Sequence, residues 1–366
     1  MSLVARISGI GILVCATFIM YSCKPGDAQS AALVNCPADS IANCLYVSDL
    51  DYPVVTVRNL SLTDYARNGY VLDLLIRYPE GAAGPLPVVF WNHGGRPNPN
   101  AGERSENWST KLAAAGYVVI HPVRNFVPDV LPYLTECSAN GYATEEECAY
   151  WVTQYRFGPQ NTHFLIAHLL DIEAQVPALA GKLDNQHIVV AGHSAGSTTV
   201  LANAGAWQQW TATGPRYDEK DDTPIAFLAS GVQGPMYAGF HSGFHSPGEY
   251  AGLNEHSFKY MDRPFVFITG VGDETGEPPE ARATGWLTSI PGNKLLLWDT
   301  NPEAKHETMD AQKCDTQTQQ QHCEMIKATG LAFLDAVVRE RDAANQWLKS
   351  NTLKSISGGE IELHWR

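Results

Sequence analysis

The chain has 366 residues, of which 44% are hydrophobic and 17% charged, and its formal net charge is −14. That composition excludes a disordered or fibrous chain, and the length accommodates one large α/β domain or two smaller ones. The acidic balance repels polyanions, which argues against nucleic acid as a partner.

The first residues, MSLVARISGIGILVCATFIMYSC, place Arg6 before an apolar run from Ile7 to Met20. The run is short and broken by glycine, so it reads as an export signal over 1–22 rather than a membrane span. It ends in Met20-Tyr21-Ser22-Cys23, which resembles a lipobox with Cys23 as the lipidated residue; cleavage further on, near AQSAA, is the other expectation. A periplasmic location is expected, with a lipid anchor to the membrane if Cys23 is the lipidated residue. A polar lead-in over 23–45 precedes a catalytic domain over 46–366.

Eight cysteines are present, and setting Cys15 and Cys23 aside in the signal leaves six. Six cysteines allow 15 connectivities. They lie in three close pairs, and the sequential pairing Cys36–Cys44, Cys137–Cys148 and Cys314–Cys323 is expected. Short-range pairs of this kind staple loops in an oxidising compartment.

Along the rest of the chain, YPVVTVRNLSL and YVLDLLIRYP alternate as strands do. The apolar run LPVVFWNHGG then closes on glycines, a helical period covers 102–115, and GYVVIHPV is the next strand. Residues 160–180 are expected to form one amphipathic helix, and HIVVAG is a short buried strand. Three more strands follow in TPIAFLASGVQGP, RPFVFITGVGDE and NKLLLWDTNP, and 323–349 forms the last clear helix. Apolar runs alternating with helical patterns predict a mostly parallel sheet with helices on both faces. Two segments break the rhythm, an acidic aromatic stretch over 127–158 and a Gly-, His- and aromatic-rich stretch over 236–264. Long connections without regular structure point to lids or binding loops.

Residues 187–197, HIVVAGHSAGS, carry the chemistry. Gly192-His193-Ser194-Ala195-Gly196 is a G-x-S-x-G pattern set between an apolar strand and a small-residue helical stretch, the setting a nucleophile elbow requires. A serine at its ordinary pKa is a poor nucleophile and needs a base with an orienting acid. In this arrangement the acid follows the serine and the histidine comes last. Asp273, in the glycine-rich loop after FVFITG, is the expected acid, with Glu274 and Glu277 as alternatives. His306, in the loop after LLLW, is the expected base, and His322 the next candidate. The oxyanion donors are expected at Ala195 and at Gly95, in the loop Asn92-His93-Gly94-Gly95-Arg96, with His93 a hydrogen-bonded structural residue. Tyr237, Phe240, His241, Phe244, Tyr250 and Trp286 could line a groove for a flexible substrate chain. His241, His245 and His256 lack metal-ligand spacing, and neither a metal nor a cofactor is assigned.

Together these pieces resemble the α/β-hydrolase superfamily across essentially the whole mature chain. The N-H-G-G loop, G-H-S-A-G elbow, G-x-G-D loop and late histidine look like the branch of dienelactone and platelet-activating-factor acetylhydrolases. At a finer level the lipobox-like signal, FWNHGG, AGHSAGS and the disulfide-stapled segments resemble the oxidised polyvinyl alcohol hydrolases. That resemblance implies hydrolysis of the C–C bond of a β-diketone, with Ser194 as nucleophile, His306 as base and Asp273 orienting it. The catalytic motifs fit carboxylesterases and polyester hydrolases as well, which use the same steps on an ester.

Overall fold

Nine strands form one sheet in the computed structural model, which describes residues 44–235, 252–275 and 277–366. They are β1 (Val54–Asp64), β2 (Tyr70–Pro79), β3 (Leu86–Asn92), β4 (Val118–Val123), β5 (Leu183–His193), β6 (Ala226–Ser230), β7 (Phe265–Gly270), β8 (Lys294–Asp299) and β9 (Ile361–Trp365). Their order is β1-β2-β4-β3-β5-β6-β7-β8-β9. The six inner strands β4, β3 and β5 to β8 run parallel, while β1, β2 and β9 pair antiparallel at the two ends.

The inner strands are apolar throughout because both faces are covered. Their residues alternate between two cores: Val88, Phe90, Val190, Phe227 and Phe267 on one face, Val89, Trp91, Val189, Leu228 and Ile268 on the other. The second face is closed by Trp108 and Leu112 of α1 (Glu106–Ala114), Phe333 and Leu334 of a long late helix, and Trp347. The first face takes α2 (Leu134–Ala139), α3 (Glu145–Trp151), α4 (Phe157–Ala167), α5 (Leu169–Gln175) and α6 (Ala195–Asn203), with Trp151, Phe157, Leu165 and Leu201 buried there. Short α7 (Pro279–Arg282), α8 (Thr284–Thr288) and α9 (His306–Met309) lie in the connections around β8. The chain ends with α10 (Gln317–Val338), α11 (Asp342–Lys349), α12 (Thr352–Ile356) and β9.

Strand order fixes where a site can form. The chain passes from β3 to β4 on one side, then crosses back so that β5 pairs with β3 on the other. At such a reversal the connections leave in opposite directions and open a crevice beyond the carboxyl ends of the strands. Here that crevice lies past Asn92 and His193.

Several expectations need correction. Residues 127–158 are not a structureless connection: they form a 3₁₀ turn, α2, α3 and a π-helical turn, Val152–Arg156. Trp151 on this segment is fully buried against Trp210 and Tyr217, so the aromatic richness there builds core. Residues 160–180 hold two helices and a 3₁₀ turn, and the expected last helix over 323–349 breaks at Glu340, whose φ is 53°. The strand IELHW follows it and pairs with β8.

Cys137–Cys148 and Cys314–Cys323 are disulfide-bonded, as expected for folding in an oxidising compartment. Cys36, the expected partner of Cys44, lies outside the described residues, as do the signal segment and Cys23. Among the described residues no helix is long and apolar enough to cross a membrane.

Candidate active site

Three side chains from three connections meet in the crevice. Ser194 follows β5, Asp273 follows β7 and His306 follows β8. His306 Nε2 lies 2.7 Å from Ser194 Oγ, and its Nδ1 lies 2.5 Å from Asp273 Oδ1. With Nδ1–H donating to the carboxylate, Nε2 is free to accept the serine proton, and the ring becomes a base aimed at Ser194. Ser194 is half-buried and thus reachable, whereas Asp273 is completely buried.

The serine is held in a strained backbone conformation, φ 52° and ψ −123°, between β5 and α6. Strain of this kind persists only where neighbours enforce it. Its N–H donates to Ser230 O at 3.0 Å, fixing the turn to β6. The flanking glycine Gly196 is required by packing, because a Cβ there would run into the Asn92 carbonyl. Gly94 is equally confined: a Cβ on it would sit 3.1 Å from Ser194 Cβ and 2.8 Å from His193 Nδ1. The N-H-G-G loop therefore lies directly on the elbow. Gly95 takes φ 71°, and no acceptor among the described residues takes the backbone N–H of Gly95 or Ala195. Both remain available to an oxyanion, and Ala195 opens α6, whose N-terminal end favours negative charge.

Asp273 is shaped by opposing effects. Burial pushes its carboxyl up, but hydrogen bonds from His306 and Thr269 (2.8 Å) and the Arg282 guanidinium outweigh it and hold it below the ordinary aspartate value. Arg282 is fully buried, 3.5 Å from Asp273 Oδ1, and donates to the carbonyls of Asp273, Val232 and Thr275. Glu277, one alternative acid, instead accepts the Gly234 N–H and pairs with Arg282 at 3.3 Å. Glu274 is exposed. His322, the other candidate base, is held between Asp299 (2.6 Å) and Glu360 (3.0 Å), so it is committed away from Ser194.

His93 is buried and ties Gly94 O (3.0 Å) to the Arg124 backbone N–H (3.3 Å). Burial drives its pKa well below the ordinary histidine value, so it stays neutral. Trp286 is not part of the site. Its indole N–H donates to Lys294 O at the opening of β8, the opposite end of the strand from the His306 loop. Tyr237, Phe240, His241, Phe244, His245 and Tyr250 lie outside the described residues. His256 is exposed beside Glu255.

Sequence reasoning did not single out the supports of the triad. His193, the variable residue of the elbow, places Nε2 3.0 Å from His306 O and Nδ1 3.5 Å from Asp310 Oδ2. Burial and the neighbouring imidazole push His193 down to about 3, so it is neutral and its Nε2–H donates to the His306 carbonyl. Gln154, on the π-helical turn, donates to Ala195 O at 2.7 Å. Only the position of His193 inside the G-x-S-x-G pattern offered a signal for any of these.

Asp310 gives a stability prediction. It is buried, accepts the Ser105 hydroxyl at 2.6 Å, and burial pushes it up to about 8 from 3.8. A carboxyl whose folded pKa is raised contributes stability fully present below about pH 3.8 and lost as pH rises through about 8. In thermal melts, the Tm of Asp310→Asn relative to wild type should therefore move in the variant's favour between pH 5 and 8.5. A difference that stays constant with pH would contradict this assignment.

Comparison with protein-family models and with curated proteins returns no match to the chain.

Proposed function

We propose that the chain is an exported serine hydrolase of the α/β-hydrolase fold. The observation that carries this reading is the line Ser194–His306–Asp273, with contacts of 2.7 and 2.5 Å, in the crevice where strand order reverses. Supporting it, the triad members follow one another as Ser, Asp and His, and the candidate oxyanion donors come from the residue after the nucleophile and the loop after β3. The nucleophile also occupies a strained turn between strand and helix.

The proposed substrate is the β-diketone unit of oxidised polyvinyl alcohol, a reading that rests on the resemblance in FWNHGG, AGHSAGS and the export signal. Ser194 Oγ attacks one ketone carbon while His306 takes its proton. The alkoxide so formed is held by the N–H groups of Gly95 and Ala195. Its collapse breaks the C–C bond, and the departing enolate receives the proton from His306 to become a methyl ketone. Water, deprotonated by His306, then releases the acyl group as a carboxylate. A carboxylic ester would pass through the same steps with an alkoxide leaving, which makes carboxylesterase or polyester hydrolase the alternative.

Paired assays on the purified mature chain decide between them. One substrate is a short aliphatic β-diketone, followed by loss of its enol absorbance; the other is a p-nitrophenyl ester of similar length. Diketone loss that disappears in Ser194→Ala is the expected result. Ester cleavage alone would move the protein to the esterases, and no turnover of either would refute the hydrolase reading.

A further inference from the structure

The loop that crosses the elbow is gripped by two arginines that lack a carboxylate partner among the described residues. Arg104, just after the 3₁₀ turn Ala101–Glu103, donates from Nη1 to Gly94 O at 2.5 Å. Arg124, at the exit of β4 and 1% exposed, donates from Nη2 to His93 O. Among the described residues neither arginine has an acidic group within ion-pair distance, whereas Arg77, Arg156 and Arg282 do. Among the described residues Arg124 Nη1 is buried without a hydrogen-bond partner.

The nearby titratable groups do not supply the missing charge. Asp310, the acid that feels Arg104, is pushed up to about 8 by burial and is neutral near pH 7. Burial likewise keeps His93, His121 and His193 uncharged. Around Arg124 stand Tyr150, Tyr155 and Tyr70; burial lowers the guanidinium to about 10, which leaves it cationic. Burying an unpaired charge is costly, so the buried Arg124 needs a compensating role, and half-buried Arg104 adds a second cation to the same loop.

Connectivity supplies that role. The Gly94 carbonyl belongs to the same peptide unit as the Gly95 N–H, and a Cβ on Gly95 would collide with Arg104 Nη1. A cation bonded to the oxygen of an amide withdraws electron density from it and strengthens the N–H as a donor, since hydrogen bonds in a chain polarise one another. In the same way Arg124 acts on the His93–Gly94 peptide. The positive charge reaches substrate through the loop.

We propose that Arg104 is a positioning residue that polarises the Gly94–Gly95 peptide for a developing oxyanion, with Arg124 bracing the preceding peptide. This rests on the hydrolase reading of Ser194. It predicts that the site binds a tetrahedral anion much more tightly than a neutral ground state of the same shape.

Two variants of the purified mature chain test it, Arg104→Gln, which leaves a neutral donor, and Arg104→Lys, which keeps the charge. Both are checked for a wild-type thermal transition, then measured for kcat, KM and inhibition by an alkylboronic acid. That inhibitor forms a tetrahedral anion on an activated serine. Loss of one oxyanion donor costs roughly 10²- to 10³-fold in kcat, so loss of its polarisation should cost roughly 10- to 100-fold. Arg104→Gln is expected to show that fall in kcat with KM little changed and an equal rise in the boronate inhibition constant, and Arg104→Lys to recover most of both. Wild-type kcat in Arg104→Gln would overturn the proposal, as would equal damage in both variants with KM rising in step. A wild type inert to boronate, to the β-diketone and to the ester would refute the hydrolase reading and this proposal with it; a reactive wild type beside an unchanged Arg104→Gln would refute the proposal alone.

Discussion

Ser194→Ala is expected to lower kcat by roughly 10⁵- to 10⁶-fold, the scale on which loss of the nucleophile in a serine triad is felt. The residual rate would come from Gly95, Ala195 and substrate binding alone. The fold should be nearly indifferent to the change. The hydroxyl's hydrogen bond is to His306, and the N–H that ties the turn to Ser230 belongs to the backbone and survives in alanine. Unfolding free energy is therefore expected to stay within about 1 kcal/mol of wild type. Burst-phase kinetics with the p-nitrophenyl ester would show the loss in the acylation step. Retention of more than a hundredth of the wild-type burst rate would assign the nucleophile elsewhere.

The second large effect is expected from Asp273→Asn, at roughly 10⁴-fold in kcat. The amide is nearly isosteric with the carboxylate but can present an N–H to His306 Nδ1. That would turn the ring to the tautomer whose Nε2 carries a proton, and it could no longer accept one from Ser194. The change also removes the charge facing Arg282, which is fully buried 3.5 Å away. Stability should fall as well, and the sign of its pH dependence follows from the depressed pKa of Asp273. A carboxyl lowered on folding contributes stability that is present above its unfolded value, near 3.8, and is lost as pH falls through the folded one. The Tm gap between wild type and Asp273→Asn should be widest at neutral pH and narrow below about pH 3.8. A rate within tenfold of wild type would remove Asp273 from the triad.

The inner sheet was legible because burial on both faces writes continuous apolar runs into the sequence. VVFW, IVVA, AFLA, FVFI and LLLW each fall within a strand. The strand β9 was not legible: its one fully buried residue is Ile361, so IELHW carries only a weak apolar signature. Nor was the helical nature of 127–158, where the cue for an irregular connection, a run of acidic and aromatic residues, comes from different surfaces. Glu145 and Glu146 open α3 toward solvent, while Tyr150 and Trp151 at its end are buried.

The meeting of Ser194, Asp273 and His306 was legible because each stands in a turn after a strand, and those turns are marked by glycine or by the end of an apolar run. Trp286 was drawn toward the site by residue type alone; its place at the far end of β8 depends on a short helix whose direction no local pattern reveals. The supports were hidden for a related reason. Arg104, Arg124, Arg282 and Asp310 act on backbone groups or on partners distant in the chain, and an isolated arginine or aspartate carries no periodicity.

Everything proposed for the site depends on Ser194 being an activated nucleophile. The most direct measurement is labelling of the purified mature chain with a serine-directed fluorophosphonate, followed by peptide mass spectrometry to locate the adduct. One adduct per chain, on the peptide containing Ser194, and its loss in His306→Ala, is the result expected if the 2.7 Å contact between the two side chains makes the serine reactive. An unlabelled wild type, or an adduct on another residue, would contradict the account.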